Sequence, residues 1–388
     1  MRMSNFSDIY QSIPIEAWVQ QSLDTSERTL ESILRKGRAR SPADFAALIS
    51  PRASNYIEEL AHHSNKITQR HFGKTMRLFA PLYLSNECVN ICTYCGFSRN
   101  NEIPRITIPL EQVITETKLL ANQGFRSLLL VAGEHPKYVS NGYVEKCITH
   151  CLEIMPSIAI ELGPLETEGY KPLVNAGCEG LIVYQETYHE PTYKEIHPAG
   201  PKKNYAWRMD TAQRAYVAGF RKIGLGALYG LHDWRYEALS VSAHALFLLQ
   251  HCWKAQLSIS VLRLRPATGT FTPNQNYHMS DRDITQLVCA FRMLLPHANI
   301  VLSTRESPQL RNGLVRLGIT TMSAGSSTEP GAYSHYDESN WSPNLEQPGE
   351  QFHIADERTP NEIATMISNQ GYEPVWKDFD QSLVNSSE

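Results

Sequence analysis

Three cysteines, Cys88, Cys92 and Cys95, stand within eight residues of the sequence in the run CVNICTYC. Thiolate sulfur is the usual protein ligand of iron–sulfur clusters, and three thiolates on a short segment can each bind one iron of a [4Fe–4S] cubane. The fourth iron then has no protein ligand and is open to a small molecule. The spacing therefore predicts a cluster with one open iron.

A zinc site in a non-enzymatic binding protein is the alternative for these cysteines. Structural zinc takes four ligands, often from two Cys-x-x-Cys pairs. No second pair follows Cys95, and no histidine stands close by in the sequence to complete a tetrahedron. The other cysteines are expected to be small buried apolar residues: Cys147, Cys151, Cys178, Cys252 and Cys289.

The composition is that of an ordinary globular protein, with 388 residues, 42% of them hydrophobic, and a formal net charge of −4. Lysine and arginine are scattered, so nothing indicates a nucleic-acid partner or an anionic membrane surface. The N-terminal segment lacks the apolar core of a secretory signal, and no apolar run is long enough to span a bilayer. We therefore expect a cytoplasmic protein that binds neither nucleic acid nor membrane.

Eight short apolar or β-branched runs follow one another in the sequence. They predict strands at Leu78–Ser85, Ser127–Gly133, Ser157–Gly163, Gly180–Gln185, Lys222–Tyr229, Leu257–Leu264, Asn299–Thr304 and Thr320–Ala324. Stretches with helical spacing lie between them, for example at Leu110–Gln123, Tyr143–Met155, Asn204–Ala218, Arg235–Trp253 and Asp281–Leu295. Eight βα units match a closed (β/α)₈ TIM-type barrel, with an open doubly wound sheet as the alternative.

The expected organisation has three parts. Residues 1–76 form an N-terminal helical extension, residues 77–328 form the barrel, and residues 329–388 form a C-terminal extension packed on the barrel. Active sites of such barrels lie at the carboxyl ends of the strands. The cysteine run directly follows the first predicted strand, so it is expected at that end.

The spacing C-x3-C-x-Y-C resembles the signature of the radical S-adenosylmethionine (SAM) superfamily, and CVNICTYCGFS at Cys88–Ser98 resembles its tyrosine lyase branch. Further similar motifs follow in order: VAGEHP, YQETYH, LGALYGLHDWR, LRP, LSTRES and SAGSST. The tail QFHIADERTP…QGYEPVWKDFD resembles that of the members of this branch that serve thiamine biosynthesis. The resemblance covers about residues 75 to 380.

The resemblance implies a radical SAM barrel with a [4Fe–4S] cluster on the three cysteines and SAM bound to its open iron. The cofactor carries the hard chemistry, and the protein orients it. Gly133 and Glu134 are implied to bind the methionyl amino group, Glu186 the ribose hydroxyls and Arg208 the SAM carboxylate, with Tyr94 near adenine. A solvated loop carboxylate is the alternative for Glu134, and a helix-surface arginine is the alternative for Arg208.

Arg305 and Ser303 are two residues apart at the end of the seventh predicted strand, so they lie on the same face. The resemblance implies that this arginine holds the carboxylate of an aromatic amino acid, for which a planar guanidinium is suited. Ser323 on the eighth strand is expected to line the same pocket. The open alternatives are an ion pair of Arg305 with Glu306, and competition for the carboxylate from Arg263 or Arg265.

The implied reaction cleaves the Cα–Cβ bond of L-tyrosine to 2-iminoacetate and 4-methylphenol, while SAM yields methionine and 5′-deoxyadenosine. The expected partners are a low-potential electron donor such as flavodoxin and, because 2-iminoacetate hydrolyses readily, a thiazole synthase that receives it. A tryptophan lyase remains an alternative. The tyrosine lyases of hydrogenase maturation carry a second cluster on C-terminal cysteines, whereas no cysteine follows Cys289 here.

Overall fold

The structure is a computed structural model that describes residues 4–269, 271–334 and 349–376. Five helices precede the first strand: Phe6–Tyr10 (α1), Ile15–Leu23 (α2), Glu27–Lys36 (α3), Pro42–Leu48 (α4) and Ile57–Phe72 (α5). The side chain of Ser26 caps the start of α3, and Gly37 ends the helix with a left-handed backbone. The apolar face of α3 is buried, as its spacing predicts.

The described residues form one sheet of nine strands: Thr75–Ser85 (β1), Ser127–Ala132 (β2), Ser157–Glu161 (β3), Gly180–Ile182 (β4), Lys222–Tyr229 (β5), Gln256–Arg263 (β6), Asn299–Leu302 (β7), Thr321–Ser323 (β8) and Glu373–Val375 (β9). Strands β1 to β8 are parallel neighbours in chain order. Because β1 pairs with both β2 and β8, the barrel is closed. The closed barrel is confirmed, and the open sheet is excluded.

Helices alternate with these strands on the outside of the barrel. They are Leu110–Asn122 (α6), Asn141–Leu152 (α7), Thr167–Asn175 (α8), Glu190–Ile196 (α9), Tyr205–Met209 (α10), Thr211–Ala218 (α11), Trp234–His251 (α12), Asp281–Leu294 (α13) and Pro308–Leu314 (α14). The N-terminal helices α2 and α4 pack on α12, and α5 packs on α13. This second layer explains why α12 is buried around most of its circumference.

One predicted helix, Asn204–Ala218, is broken into α10 and α11. The break falls at Asp210, whose carboxylate accepts hydrogen bonds from the backbone N–H and the hydroxyl of Ser7 at 2.8 and 2.6 Å. An acidic residue that binds a distant segment is not visible in local periodicity, so the sequence predicted one continuous helix.

The C-terminal segment adds a ninth strand at the amino-terminal end of the barrel. After the helix Pro360–Asn369 (α15), strand β9 pairs with Thr75–Arg77, the part of β1 that β2 does not reach. The sequence analysis did not predict β9, because three residues that include a proline have no strand pattern. Residues 335–348 and 377–388 of the expected extension lie outside the described residues, and the division of the chain at 77 and 329 stays a prediction.

A buried charge group fastens the same segment to the carboxyl end of the barrel. Asp356 forms salt bridges with Arg311 and Arg358, and its backbone N–H donates to the carbonyl oxygen of Thr304 at 3.1 Å. Burial alone would raise the pKa of Asp356, but the two guanidinium groups hold it below its ordinary value.

No helix in the described parts of the chain is long and apolar enough to cross a membrane.

The substitution Asp356→Ala tests this anchor. It leaves the guanidinium of Arg311 buried without its partner, so we expect the free energy of unfolding to fall by about 3–5 kcal/mol. Anaerobic guanidinium denaturation measures the change. The control Glu168→Ala removes an exposed pair with Lys171 and should cost less than about 1 kcal/mol. Equal effects of the two substitutions would show that the buried pair does not anchor the segment.

Candidate active site

Cys88, Cys92 and Cys95 lie on the loop that follows β1, at the carboxyl end of the barrel, as the sequence predicts. Cys92 is buried and the other two are partly buried. Burial raises the pKa of Cys92 and Cys95, that of Cys95 to about 11, while the ammonium of Lys202 opposes the shift. Thiols this sheltered ionise when a metal replaces the proton.

The donor set of this loop suits a cluster. Among the residues that the structure describes, no three Cys, His, Asp or Glu side chains converge closely enough to hold a single metal ion. A cubane has a different requirement, because each of three thiolates binds its own iron. Three cysteines on one loop meet that requirement, and apolar side chains shelter them: Tyr83, Tyr94, Phe97, Leu228, Leu231 and Leu262. These residues therefore fit a [4Fe–4S] cluster.

Arg105 supports the cysteine loop from the side that follows Cys95. Its guanidinium donates to four backbone carbonyl groups at 2.7–3.1 Å, those of Asn86, Phe97, Ser98 and Asn101. Asn101 in turn donates to the carbonyl oxygen of Cys95 at 3.1 Å. Sequence reasoning did not identify Arg105, because a single arginine in a polar loop has no recognisable pattern.

The C-terminal segment covers this loop. The N–H of Gly96 donates to the carbonyl oxygen of Gln351 at 3.0 Å. A Cβ atom at Gly96 would lie 2.2 Å from the carbonyl oxygen of Glu350, so only glycine allows the two chain segments to come this close. The hydroxyl of Tyr83 donates to Oε1 of Gln351 at 2.8 Å. The segment therefore connects the cysteine loop with the barrel lumen.

Glu134, the residue expected at the SAM amino group, is oriented by its neighbours. Asn90, a buried residue of the cysteine loop, donates from Nδ2 to Oε2 of Glu134 at 2.7 Å. The Glu134 side chain fills the space over Gly163, where a Cβ atom would lie 2.4 Å from its Cγ. Gly133 precedes it and donates its N–H to the end of β1 at 2.9 Å. Glu134 is thus a held carboxylate rather than a solvated one.

Glu186 and Arg208 are in contact. Nη2 of Arg208 and Nζ of Lys202 donate to the same oxygen of Glu186, at 3.3 and 2.8 Å. Burial opposes ionisation of Glu186, but the two cations lower its pKa to about 2. Arg208 is 8% exposed, which excludes the alternative of a helix-surface arginine. The roles of the pair toward ribose and the SAM carboxylate stay predictions.

Glu186 also has an unusual backbone. Its φ of 72° is the one left-handed value at a non-glycine position among the described residues. Such a conformation costs free energy and is typical of functional sites. Lys202 was not identified from the sequence, since it lies in the long segment between β4 and α10.

Tyr94, expected near adenine, is fixed by His197. The Tyr94 hydroxyl and Nε2 of His197 are 2.9 Å apart, and Nδ1 of His197 lies 2.9 Å from the carbonyl oxygen of Tyr193. Burial, with Lys202 adding to it, holds the pKa of His197 well below its ordinary value. The neutral ring therefore donates from Nδ1 and accepts from Tyr94, which holds the aromatic ring in one position.

Arg305 lies beyond the end of β7, and the plane of its guanidinium stacks on Phe352, 3.3 Å from the ring centroid. Glu306 does not pair with it. Instead, Nε of Arg263 donates to both carboxylate oxygens of Glu306 at 3.1 and 2.9 Å. The structure thus excludes the ion pair of Arg305 with Glu306 and leaves Arg263 already engaged.

Ser303 and Ser323 shape the turn that carries Arg305. The hydroxyl oxygen of Ser303 accepts from the N–H of Arg305 at 3.3 Å, and that of Ser323 accepts from the N–H of Thr304 at 3.1 Å. Neither hydroxyl donates a hydrogen bond to another of the described residues. The two serines are therefore next to Arg305, where the sequence analysis expected them, and their contact with a substrate stays a prediction.

Two family models match the chain. Residues 82–240 match the model described as the Radical SAM superfamily, and residues 260–373 match the Biotin and Thiamin Synthesis associated domain. The chain is 40% identical to the 2-iminoacetate synthase of Escherichia coli (strain K12) over 100% of both chains. It is 39% identical to the 2-iminoacetate synthase of Salmonella typhimurium (strain LT2), again over 100% of both chains.

Solved structures include a similar fold. The FeFe-hydrogenase maturase HydG from Carboxydothermus hydrogenoformans superimposes with a TM-score of 0.86 at 33% identity, covering 96% of this chain and 84% of that chain. Methylornithine synthase (PylB), at 19% identity, superimposes with a TM-score of 0.71 over 92% of this chain and 99% of its own, which supports the fold alone.

The substitution Gly163→Ala tests the orientation of Glu134. The added methyl group occupies the space of the Glu134 side chain, so the carboxylate must move away from Asn90. We expect the affinity for SAM to fall about tenfold, the value of one hydrogen bond to a charged group, with little change in iron content. Equilibrium dialysis with labelled SAM measures it. Unchanged SAM affinity, with the fold intact by circular dichroism, would contradict this role of Glu134.

Proposed function

The chain belongs to the family of 2-iminoacetate synthases within the radical SAM superfamily, and on that premise we propose that it cleaves the Cα–Cβ bond of L-tyrosine. The products are 2-iminoacetate and 4-methylphenol, and SAM is split to 5′-deoxyadenosine and methionine. The observation that carries the proposal is the position of Arg305. It acts electrostatically on Tyr83 and Tyr184 of the lumen, and Tyr83 in turn on Cys95. Its guanidinium contacts Phe352 and forms no salt bridge with a carboxylate of the described residues, so it can bind the carboxylate of a substrate.

The residues proposed to bind the cluster and SAM lie on and around the cysteine loop. Cys88, Cys92 and Cys95 bind the [4Fe–4S] cluster, which together with SAM supplies a 5′-deoxyadenosyl radical. Glu134 accepts from the methionyl ammonium in a charge-assisted hydrogen bond. Arg208 binds the SAM carboxylate, Glu186 the ribose hydroxyls, and Tyr94 lies beside adenine.

The lumen supplies the substrate pocket. Arg305 binds the tyrosine carboxylate through its planar guanidinium, and the hydroxyls of Ser303 and Ser323 donate to the same group. Apolar side chains line the barrel beneath: Phe79, Leu129, Val131 and Ile182, with Tyr83. This lining packs the aromatic ring and keeps water away from reactive intermediates.

The product and the electron source imply partners. Because 2-iminoacetate hydrolyses readily, we propose that a thiazole synthase of thiamine biosynthesis receives it directly. A low-potential donor such as flavodoxin reduces the cluster, and we place the reaction in the cytoplasm.

An anaerobic assay with dithionite, SAM and either tyrosine or tryptophan tests the reaction. Consumption of tryptophan without any 4-methylphenol from tyrosine would replace the tyrosine assignment by a tryptophan lyase.

Replacing any one cluster cysteine, for example Cys88→Ala, should abolish reductive cleavage of SAM. Two thiolates cannot hold the cubane in place, so bound iron and sulfide should also fall well below the wild-type amounts. The matched control is Cys252→Ala, a buried cysteine at the end of α12, which should retain the cluster. Release of 5′-deoxyadenosine by the Cys88 variant at the wild-type rate would contradict the cluster assignment.

The substitution Arg305→Ala should separate substrate binding from cofactor chemistry. Loss of a charged bidentate contact should raise KM for tyrosine by roughly tenfold or more. Cleavage of SAM in the absence of tyrosine should stay within about twofold of wild type, since Arg305 does not touch SAM in this proposal. Arg305→Lys keeps the positive charge but loses the planar bidentate guanidinium, so its KM for tyrosine should lie between those of wild type and Arg305→Ala. An equal loss of both reactions would remove Arg305 from the substrate pocket.

A further inference from the structure

Glu161 is the last residue of β3, and its side chain enters the lumen. It pairs in register with Val131 of β2, and it is two residues beyond Ala159, which belongs to the apolar lumen cluster. Side chains two residues apart on a strand share a face. Glu161 is therefore a carboxylate in a mainly apolar cavity. No side chain or backbone group of the described residues donates a hydrogen bond to it.

Glu161 and Arg305 stand on opposite sides of the barrel. Strands β3 and β7 are four positions apart in the closed order of eight, so they are diametrically placed. Burial raises the pKa of Glu161 to about 7, with Glu186 adding to the rise and Arg305 opposing it. Burial likewise lowers the pKa of Arg305, and Tyr83 and Glu161 oppose that shift. The two groups act on each other electrostatically but form no salt bridge.

Two opposite charges separated across a cavity are a costly arrangement for a folded chain, because each is desolvated without a direct partner. Lys202 and Arg208 also favour ionisation of Glu161 electrostatically, but neither is its direct partner, since both donate to Glu186. A ligand that carries an ammonium beside a carboxylate would satisfy both groups at once. That pair of charges is the head group of a free α-amino acid.

We propose that Glu161 binds the α-ammonium group of the amino acid whose carboxylate binds Arg305. The inference rests on the proposed function, because it takes the substrate to be an amino acid held by Arg305. It makes recognition of the head group two-sided. A phenolic acid without an amino group and a phenolic amine without a carboxylate are then both poor ligands.

The position of Glu161 also sets the direction of the amino group. Gly163, two residues further along from Glu161, lies directly under the side chain of Glu134, the proposed ligand of SAM. An ammonium on Glu161 is therefore held on the side of the barrel where SAM binds. The aromatic ring is left to the apolar lining further down the lumen.

The test compares two ligands in wild type and Glu161→Gln, under anaerobic conditions with the cluster and SAM present. The ligands are L-tyrosine and 3-(4-hydroxyphenyl)propanoate, which lacks the amino group. Wild type should bind tyrosine about tenfold or more tightly than the propanoate. In the variant, tyrosine affinity should fall by about that factor, whereas propanoate affinity should stay the same or rise because a like charge is gone.

Retained propanoate binding shows that the variant is folded, and Glu168→Gln, an exposed residue of α8, is the matched control that should change neither affinity. If the variant keeps the wild-type preference for tyrosine, or loses both ligands equally, the inference is overturned. If wild type binds tyrosine but forms no 4-methylphenol, the proposed reaction fails, while the ratio of the two affinities still decides the role of Glu161.

The pH profile gives a second readout. Only ionised Glu161 attracts an ammonium, so kcat/KM for tyrosine should rise with pH through about 7 in wild type. This rise of kcat/KM with pH should be absent in Glu161→Gln. The charged and titratable groups that face Glu161 are Tyr83, Tyr184, Glu186, Lys202, Arg208 and Arg305. Because Glu186 is already ionised at neutral pH, it does not produce this rise of kcat/KM. A rise that persists in the variant overturns the assignment.

Discussion

The site depends on holding an irregular loop of three thiols in one conformation. Backbone groups that are buried without secondary structure must find partners elsewhere, and several N–H groups of this loop find them in other parts of the chain. The N–H of Val89 donates to the carbonyl oxygen of Glu134, that of Ile91 to Ala199, and that of Gly96 to Gln351. The neighbouring βα loops and the C-terminal segment therefore hold the conformation of this loop.

This dependence links the cofactor groups to one another. Asn90 of the loop donates to the carboxylate of Glu134 and accepts from the backbone N–H of Lys202 at 2.8 Å. Lys202 then reaches Glu186. A shift of the loop would move the proposed amino-group ligand and the proposed ribose ligand together. Such coupling would suit a cofactor whose reacting bond must be held in one position, because small displacements of a reacting group are costly in rate.

Much of this arrangement is readable from the sequence. The spacing of the three cysteines, the alternation of strands with helices, and the two-residue period of Ser303 and Arg305 each have a local signal. Lys202 has none, since its role comes from a short 3-10 turn, Pro201–Lys203, that brings it to Glu186. Glu161 had a readable signal, an acidic residue at the end of an alternating strand, but the sequence does not say whether that end faces the lumen or solvent.

The C-terminal segment explains why the barrel can shelter radical chemistry. It pairs with β1 at the amino-terminal end through β9, and at the carboxyl end its Gln351 contacts the cysteine loop and its Phe352 stacks on Arg305. The salt bridges of Asp356 hold that second contact in place. Since the same few residues cover the cysteine loop and stack on Arg305, the proposed ligand of the substrate carboxylate, exclusion of water and positioning of the substrate would depend on one structural property rather than two.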